Sequence, residues 1–428
     1  MQEDTIYALS SGSPPAAIAV IRISGPRAGH ALGLLAGRSA SPRRAQTASI
    51  RHPESGEILD NGLVLHFPAP HSATGEEVAE LHLHGGRSVV AAVLDALRGI
   101  EGLREARAGE FTRRAFENGR IDLAEAEGLA DLLTAETQSQ RRAALALAGG
   151  ALSREVGRWE SALLDLAAEV EAVLDFADEG DVDHGLSIAW EQRLHGLREE
   201  LERALARPPV ERLRDGIRVI LAGPVNAGKS SLFNALVDRD AAIVSAVPGT
   251  TRDLIEAPVA IGGVPFLLVD TAGLRDTGDE IESIGVGRTR ANLEAADVIL
   301  WLGHPTSCPD RDRSILISPK ADLGPEIPAG TEVAVSAVSG SGVERLIRLL
   351  SERAAALLPH EGEVAINGRH RQLLREAAEG LGEAAATCDL LVMAEGLRLA
   401  RSALDRITGR AGTEDMLDTL FGRFCIGK

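Results

Sequence analysis

A phosphate-binding loop is the strongest chemical signal in this sequence. Residues 223–231 read Gly-Pro-Val-Asn-Ala-Gly-Lys-Ser-Ser and match G-x-x-x-x-G-K-[ST] at every position, between an apolar run at 217–222 and a helix-like segment at 231–237. In this context glycines let backbone N–H groups turn toward an anion, Lys229 reaches the outer phosphates, and Ser230 can ligate Mg²⁺. The loop predicts a nucleoside triphosphate site; the alternative is a glycine-rich turn without a ligand.

The motifs that follow the loop indicate GTP rather than ATP. Asp270-Thr271-Ala272-Gly273 ends a predicted strand, where the carboxylate can hold Mg²⁺ through water and the Gly273 N–H can meet a γ-phosphate. Before it, the hydroxyls of Gly249-Thr250-Thr251-Arg252-Asp253 can complete the metal shell. Pro319-Lys320-Ala321-Asp322 and Ser336-Ala337-Val338 each follow a later strand. Motifs in this order resemble the G-motif series of the Ras-like GTPases.

The motif at 319–322 carries the choice of base. The Asp322 carboxylate can accept hydrogen bonds from N1–H and the 2-amino group of guanine, which adenine does not offer. The family pattern here is Asn-Lys-x-Asp, but this chain has Pro319 in place of the asparagine. We expect guanine preference to persist through Asp322, with nucleotide affinity lowered by ~1–2 kcal/mol for the lost polar contacts.

The residue that positions the attacking water is not the glutamine of Ras-type enzymes. Leu274 occupies that place, so hydrolysis needs another water-orienting group and another positive charge. Glu280 and Glu282 are candidates for the water, with a solvated acidic helix start as the alternative. Asn226 can offer its carbonyl oxygen to a monovalent cation beside the phosphates, or it can brace the loop.

Composition bounds the class of protein. The chain has 428 residues, 44% hydrophobic and 25% charged, which predicts two or three globular domains. Its net charge of −18 argues against a nonspecific nucleic-acid binder. A local basic patch and a solvated helix face both remain possible for a group of arginines: Arg104, Arg107, Arg113, Arg114 and Arg120.

Several features predict a cytoplasmic protein. Cys308, Cys388 and Cys425 show no metal-ligand spacing and suit a reducing compartment. No apolar run approaches the length of a membrane span, and the first residues are acidic where a secretory signal would be basic.

The order of predicted elements gives the fold class. Residues 1–117 read as mixed α and β, with Asp60-Asn61-Gly62 as a hairpin-turn signal, and 118–212 read as helical. Strands and helices alternate over 213–353, and 354–428 is helical again. We therefore predict a Ras-like α/β domain with a mostly parallel sheet, inserted into a helical domain and preceded by an N-terminal α+β domain.

Four sequence blocks carry a more specific resemblance. They are residues 74–86, which include Thr-Gly-Glu-Glu and Leu-His-Leu-His-Gly-Gly, residues 107–127, residues 226–231, and the terminal Phe-Cys-Ile-Gly-Lys at 424–428. Together they resemble the MnmE (TrmE) family of tRNA-modification GTPases, over all the predicted domains.

The resemblance implies a cytosolic homodimer joined through the N-terminal domain, which binds a 5-formyltetrahydrofolate-type donor. With an FAD-dependent partner of the MnmG (GidA) type, in a heterotetramer and away from any membrane, members place an aminomethyl-type group on C5 of the wobble uridine of tRNA. Their G domains pair when K⁺ binds, and pairing activates GTP hydrolysis.

Site residues follow from the resemblance by position. Ser230 and Thr251 would hold Mg²⁺. Glu282 would orient water. K⁺ would be surrounded by Asn226, Ser245, Val247 and Thr250, and folate by Arg22, Glu80, Arg120 and Lys428. Cys425 is the thiol the family reading makes functional, against a small apolar residue packed at a chain end. The GTP or GDP contacts would be made by Asn226, Ala227, Gly228, Lys229, Ser230, Ser231, Ser245, Ala246, Val247, Pro248, Gly249, Thr250, Thr251, Asp270, Thr271, Ala272, Gly273, Lys320, Asp322, Ser336, Ala337 and Val338.

A different class of function stays open: a degenerate or switch-type GTPase that gates an assembly without folate chemistry. The Pro319 substitution favours it, whereas the N-terminal blocks and the Cys-Ile-Gly-Lys end favour the modification enzyme.

Overall fold

The computed structural model describes residues 4–175, 186–240, 255–270, 293–324, 326–359, 363–410, 414–422 and 424–428. The chain forms two compact units, one of Met1–Ala130 with Asp405–Lys428 and the other of Asp131–Leu404. The described elements confirm the predicted fold class, with a mixed α/β N-terminal part, a mostly parallel sheet in the middle, and helices on both flanks. No helix of the described residues is both long and apolar enough to cross a membrane.

The first unit is built on one sheet of order β3-β4-β5-β2-β1-β6. The strands and helices that precede residue 130 are β1 (Thr5–Leu9), β2 (Ile18–Ser24), α1 (Ala28–Ala36), β3 (Gln46–Arg51), β4 (Ile58–Phe67), β5 (Val78–His84), α2 (Arg87–Arg98), β6 (Leu103–Glu105), α3 (Glu110–Glu117) and α4 (Leu123–Thr134). Helices α1 and α2 cover one face, where Ile21, Ile23 and Leu81 form a core with them. Alternate residues of the same strands, among them Arg22 and Glu80, therefore lie on the opposite face.

The prediction of a hairpin turn at residues 60–62 is wrong, because β4 runs straight through it. The Asp60 carboxylate accepts hydrogen bonds from the backbone N–H and from Nδ1 of His84, both at 2.8 Å. A Cβ on Gly62 would lie 2.3 Å from the carbonyl oxygen of His82, so glycine serves a close strand approach here and not a turn. The turn between β3 and β4 lies over residues 52–57 instead, where the N–H of His52 donates to the carbonyl of Glu57.

A buried ion network holds α3 against the sheet. Arg114 is 1% exposed, and it donates to Asp4 Oδ1 at 2.8 Å, Glu76 Oε2 at 3.0 Å and Glu110 Oε1 at 3.2 Å. Arg104 Nη1 donates to Glu110 Oε2 at 2.9 Å. Burial by itself would raise the pKa of the Glu110 carboxyl, but its hydrogen bond from Arg104 holds that pKa below its usual value.

The network resolves the question of a basic patch. Arg104 and Arg114 form ion pairs with carboxylates, and Arg113 pairs with Glu117 and with Asp418. Three of the five arginines are thus neutralised within the first unit. These three arginines therefore form neither a free basic patch nor a helix face that is only solvated.

The second unit continues with three long helices, α5 (Gln138–Ala148), α6 (Ala151–Asp175) and α7 (Ile188–Ala206), and a single-turn helix, α8 (Glu211–Arg214). The three- and four-residue spacing of Val156, Trp159, Leu163, Leu166, Val170 and Val173 predicts an apolar seam on α6, and all but the half-buried Val173 are buried. Trp159 Nε1 donates to Glu200 Oε2 at 3.1 Å on α7, and Trp190 Nε1 of α7 donates to the carbonyl of Leu166 at 3.0 Å. The two indoles thereby fix the α6–α7 packing at both ends.

The nucleotide-type sheet has the order β12-β11-β10-β7-β9-β8. Its elements are β7 (Ile217–Ala222), α9 (Lys229–Asp240), β8 (Ile255–Ile261), β9 (Val264–Asp270), β10 (Val298–Trp301), β11 (Ser314–Ser318), β12 (Val333–Ala334) and α10 (Val343–Leu357). All pairings are parallel except β8 with β9, as predicted. The alternating pattern also predicts a helix at 284–295, most of which lies outside the described residues.

Three helices complete the chain: α11 (Gly368–Ala385), α12 (Leu390–Thr408) and α13 (Glu414–Phe421). Helices α11 and α12 cross at facing glycines, since a Cβ on Gly380 would lie 2.7 Å from the carbonyl oxygen of Gly396. The last residues return to the first unit, where Ala108 forms an isolated β-bridge with Ile426.

Replacing Arg114 with alanine should lower the free energy of unfolding of the first unit by about 3–5 kcal/mol, because Glu76 and Glu110 would keep buried charges without their partner. The neighbouring Arg113→Ala is the control, and its solvent-exposed pairs predict a loss of ~1 kcal/mol or less. Urea unfolding of both variants measures the difference. Equal losses in the two variants would contradict a buried network.

Candidate functional site

The phosphate loop lies where the sheet changes direction. Strand β7 sits between β9 on one side and β10 on the other, and the chain reaches these neighbours by leaving β7 first one way and then the other. Leu221 near the end of β7 is paired with Asp270 at the end of β9. Ligands of open α/β sheets bind outside the carboxyl ends of the strands at such a switch point.

The loop itself is preformed by its own backbone. Lys229 Nζ donates to the carbonyl oxygens of Gly223 at 3.0 Å and Pro224 at 2.9 Å. Asn226 has a left-handed backbone with φ of 60°, and Gly228 has φ of 97°. These conformations turn the loop ahead of α9, so that N–H groups at the start of the helix can face an anion.

The base-reading motif approaches the loop from β11. Lys320 takes a left-handed conformation with φ of 58°, and its Cε lies 4.0 Å from the position of a Cβ on Gly228. The lysine stem thus covers the phosphate loop, and the exposed Asp322 follows in a short 3₁₀ turn, Ala321–Leu323. The N–H of Ala321 donates to the carbonyl of Val335 at 3.0 Å, which ties this motif to the next.

The loop after β12 is shaped by a residue that the sequence reasoning missed. A Cβ on Gly342 would lie 1.9 Å from the carbonyl oxygen of Ala334, so only glycine allows this approach. The N–H of the buried Ser336 donates to the carbonyl of Ser341 at 2.9 Å, and Ser336 Oγ accepts from the N–H of Ser339. The Ser-Gly-Ser-Gly run at 339–342 was the available signal for this turn. Ala337 is half-buried and Val338 is 88% exposed at the loop tip.

The structure brings together the part of the predicted nucleotide site that it describes, at one edge of the sheet. That part comprises Asn226, Ala227, Gly228, Lys229, Ser230 and Ser231 of the loop and α9, Asp270, Lys320, Asp322, and Ser336, Ala337 and Val338. The other predicted residues lie outside the described residues: Ser245, Ala246, Val247, Pro248, Gly249, Thr250, Thr251, Thr271, Ala272, Gly273 and Glu282.

A second polar cluster lies on the sheet of the first unit, on the face opposite α1 and α2. Arg22 of β2 is in register with Glu80 of β5, and both Nε and Nη2 of Arg22 lie 3.0 Å from Glu80 Oε1. His82 Nε2 lies 3.2 Å from Glu80 Oε2. The Arg22 guanidinium also lies 5.8 Å from the ring centre of Phe111. Glu80 Oε2, which has only the His82 contact, keeps a further lone pair for a ligand.

Arg120 reaches the same face through the loop at 74–75. Its Cγ lies 3.1 Å from the position of a Cβ on Gly75, and Thr74 Oγ1 lies 2.7 Å from Ser24 Oγ. Since Ser24 is two residues from Arg22 on β2, the Thr74 contact lies on the face that carries Arg22, and Arg120 contacts the residue that follows Thr74.

The chain end docks at the end of β1. A Cβ on Gly427 would lie 2.1 Å from the carbonyl oxygen of Leu9, and Ser10 Oγ donates to the Gly427 carbonyl at 2.8 Å. The half-buried Lys428 is therefore held beside β1, the neighbour of β2, and Cys425 is an exposed free thiol. The glycine explains why the terminal motif can lie so close to the sheet.

The ion network is a second feature that sequence reasoning missed. Glu76, Glu110 and Arg114 belong to the blocks that carried the family resemblance, yet they contact one another inside the protein. Their pairing ties α3, whose Phe111 lies beside Arg22, to the 74–77 loop, whose Gly75 contacts Arg120. Among the described residues, no group of three or more histidine, cysteine, aspartate or glutamate side chains could hold a metal ion.

Two protein-family models match the chain. The model of the "MnmE helical domain" matches residues 123–425, and that of the "GTP-binding protein TrmE N-terminus" matches residues 5–120. The chain belongs to the MnmE family of tRNA modification GTPases. The predicted family and the prediction of a GTP-hydrolysing enzyme are thereby confirmed.

Relatives in this family match the chain over its whole length. A tRNA modification GTPase MnmE of Rhizorhabdus wittichii is 57% identical over 428 residues, which cover 99% of this chain and 97% of the relative. One of Novosphingobium aromaticivorans is 56% identical over 99% of this chain and 100% of the relative. The solved G domain of the T. maritima FeoB iron transporter is 26% identical over 32% of this chain and 98% of its own, with a TM-score of 0.25.

Gly228→Ala should weaken GTP and GDP binding about tenfold, because a side chain at φ of 97° strains the phosphate loop by roughly 1–2 kcal/mol. Calorimetric titration with each nucleotide measures the change. Gly37→Ala, at φ of 67° with no atom within 4 Å of its Cβ, carries similar backbone strain in the first unit and should leave nucleotide affinity unchanged. Unaltered affinity in Gly228→Ala would refute the loop as the binding site.

Proposed function

We propose that this chain is a K⁺-activated GTP hydrolase that modifies the wobble uridine of tRNA, adding an aminomethyl-type group at C5 with a formyl-tetrahydrofolate one-carbon unit and an FAD-binding partner. The observation that carries the proposal is the preformed phosphate loop at the switch point between β7 and β10, in a chain whose full-length relatives are named tRNA modification GTPase MnmE. The substrate of hydrolysis follows from the loop and from Asp322.

The chemistry of the loop supports phosphoryl transfer. Mg²⁺ would be bound by the hydroxyls of Ser230 and Thr251, with Asp270 acting through water. The position of Asp270 supports this role, because its strand ends beside the last residues of β7. When bound, Mg²⁺ neutralises charge on the β- and γ-phosphates, and the chain's own Lys229 and loop N–H groups do the same from the protein side.

The conformation of Asn226 favours the cation role over the loop-bracing alternative. Asn226 is exposed at the outer edge of the loop, and no hydrogen bond joins its side chain to another residue within the described parts of the chain. The side-chain carbonyl oxygen of Asn226 therefore remains available to K⁺, which Ser245, Val247 and Thr250 would also bind. The bound K⁺ would supply the positive charge that hydrolysis needs in an enzyme with Leu274 in place of the glutamine. Glu282 would then orient the water.

The Arg22–Glu80 cluster supports the folate part of the proposal. Arg22, Arg120 and Lys428 offer cationic donors to a glutamate-tail carboxylate or a ring carbonyl, and Glu80 offers an acceptor to a pterin N–H pair. The Phe111 ring beside Arg22 adds an apolar wall to this group of charges.

The same face of the sheet supports the proposed homodimer. An open groove of about 500 Å³ runs between β2, β3, β4 and β5, and its lining includes His82 and His84. Ile18 and Leu63 in the groove are 60% and 41% exposed, an apolar surface suited to a second copy of the chain.

Hydrolysis measured against cation identity tests the GTPase mechanism. We expect turnover to be fast in KCl and slow in NaCl, and to fall at least tenfold in KCl for Asn226→Ala and Glu282→Ala. Asn234→Ala, an exposed asparagine on α9 just after the loop, is the matched control and should hydrolyse GTP like the wild type. If K⁺-stimulated turnover survives both site substitutions, the assigned chemistry fails.

Folate binding separates the modification enzyme from a switch-type GTPase. Titration with 5-formyltetrahydrofolate should give a saturable heat for the wild type and at least a tenfold weaker affinity for Arg22→Met and Glu80→Gln. Arg51→Met on β3, whose guanidinium donates to the carbonyl of Gly56, should bind like the wild type. Hydrolysis of GTP with no folate binding would favour the switch instead.

A further inference from the structure

The β8–β9 hairpin connects the nucleotide motifs to a distant point on the second unit. At one end Ile255 is paired with Asp270, next to the two sequence stretches that carry nucleotide motifs. At the other end Ile261 pairs with Val264, and Gly262-Gly263 closes the turn. With ~3.4 Å per residue, the strands extend about 20 Å from the nucleotide edge of the sheet to this turn.

The turn is held by the first residues of α5. Ser139 donates twice to the carbonyl oxygen of Gly263, from its Oγ at 2.8 Å and from its backbone N–H at 3.3 Å. A Cβ on Gly263 would lie 3.8 Å from the Cβ of Gln138, so the helix start and the turn are in close contact. The strands of the nucleotide sheet and the helical segment meet here through defined hydrogen bonds.

The start of α5 is itself a fixed structure. Thr137 caps it, accepting from the N–H of Gln140 at 3.3 Å and donating its own N–H to Gln140 Oε1 at 2.8 Å. The Gln140 amide then donates through Nε2 to the carbonyl of Arg214 at 3.2 Å, just before β7. A shift of the hairpin turn would therefore act on a helix start that is held together by its own hydrogen bonds.

Space beside the contact would allow such a shift. A cavity of about 70 Å³ lies between the start of α5 and β8, lined by Thr137, Gln140 and Val259 among others. A second cavity of about 40 Å³ lies on the α8 side of α5, lined by Ala144, Leu147 and Leu213 among others. Close-packed interfaces resist displacement, whereas a helix start flanked by two voids can move without overpacking its neighbours.

We propose that Ser139 is a positioning residue that couples the nucleotide site to the helical segment, by joining the Gly262-Gly263 turn to α5. A change of tilt in the β8–β9 hairpin when the γ-phosphate is present would pull or release the start of α5. The coupling is reciprocal. If bound nucleotide changes the affinity of α5 for a partner by some factor, that partner changes the affinity for the nucleotide by the same factor. The proposal rests on the GTPase function given above.

Hydrogen exchange of the full-length protein, followed by mass spectrometry, tests the coupling. Amides of peptide 137–148 are compared with GDP and with a non-hydrolysable GTP analogue. In the wild type we expect exchange there to differ at least threefold between the two nucleotides. In Ser139→Ala the difference should fall below 1.5-fold, and in Ser139→Thr, which keeps the hydroxyl, it should be restored.

Ser161→Ala is the matched control, because Ser161 Oγ also donates to a backbone carbonyl, that of Gly157 at 2.9 Å, but within α6 and away from the hairpin. It should respond to nucleotide like the wild type. Calorimetry measures the nucleotide affinity of each variant, and steady-state GTP hydrolysis measures its kcat and KM. We expect Ser139→Ala to alter kcat and to leave KM unchanged within about twofold.

The outcomes separate this proposal from the proposed function. If the wild type binds neither nucleotide, the GTPase function fails and the coupling with it. If nucleotide binds but peptide 137–148 exchanges alike in both states, the coupling alone is overturned. A Ser139→Ala protein that keeps the wild-type response also overturns it, and the wild-type comparison decides the matter should that variant not fold.

Discussion

The nucleotide half of this protein depends on one constraint, that a triphosphate is stabilised in a protein only where several N–H donors and a cation converge on it. Here that convergence requires β7 to end beside Asp270, and Lys229 to fold back over its own loop. Both conditions come from strand register. A slip of one residue between β7 and β9 would turn the carboxylate to the other face of the sheet.

The core beneath the loop explains why the register is firm. Val219 and Leu221 of β7 pack on one face of the sheet, and Ile220 and Ala222 pack on the other. A strand buried on both faces cannot slide without exposing apolar groups or driving polar ones into the core, so the loop inherits its position from hydrophobic packing.

In the first unit, ion pairs determine where the charged side chains lie against one face of the sheet. The buried Arg114 pairs with Asp4, Glu76 and Glu110, and the register of β2 and β5 places Arg22 opposite Glu80. The cost of burying the Arg114 charge is offset by its ion pairs with these carboxylates, although its Nε is buried without a hydrogen-bond partner, so the network determines geometry more than it adds net stability. The docked chain end holds Lys428 beside the end of β1.

The sequence by itself determined what depends on local pattern: the phosphate loop, the order of the strands that follow it, the apolar seam of α6 and membership of the MnmE family. Period, spacing and glycine placement report on neighbours along the chain. What only the tertiary structure decided are the contacts between distant residues. Gly62 reads as a turn locally but serves a close approach to His82, and Arg114 reads as a surface arginine but lies at 1% exposure. The link from Ser139 to Gly263 spans more than a hundred residues of chain, and no periodicity encodes it, because such contacts arise only once separate elements have packed.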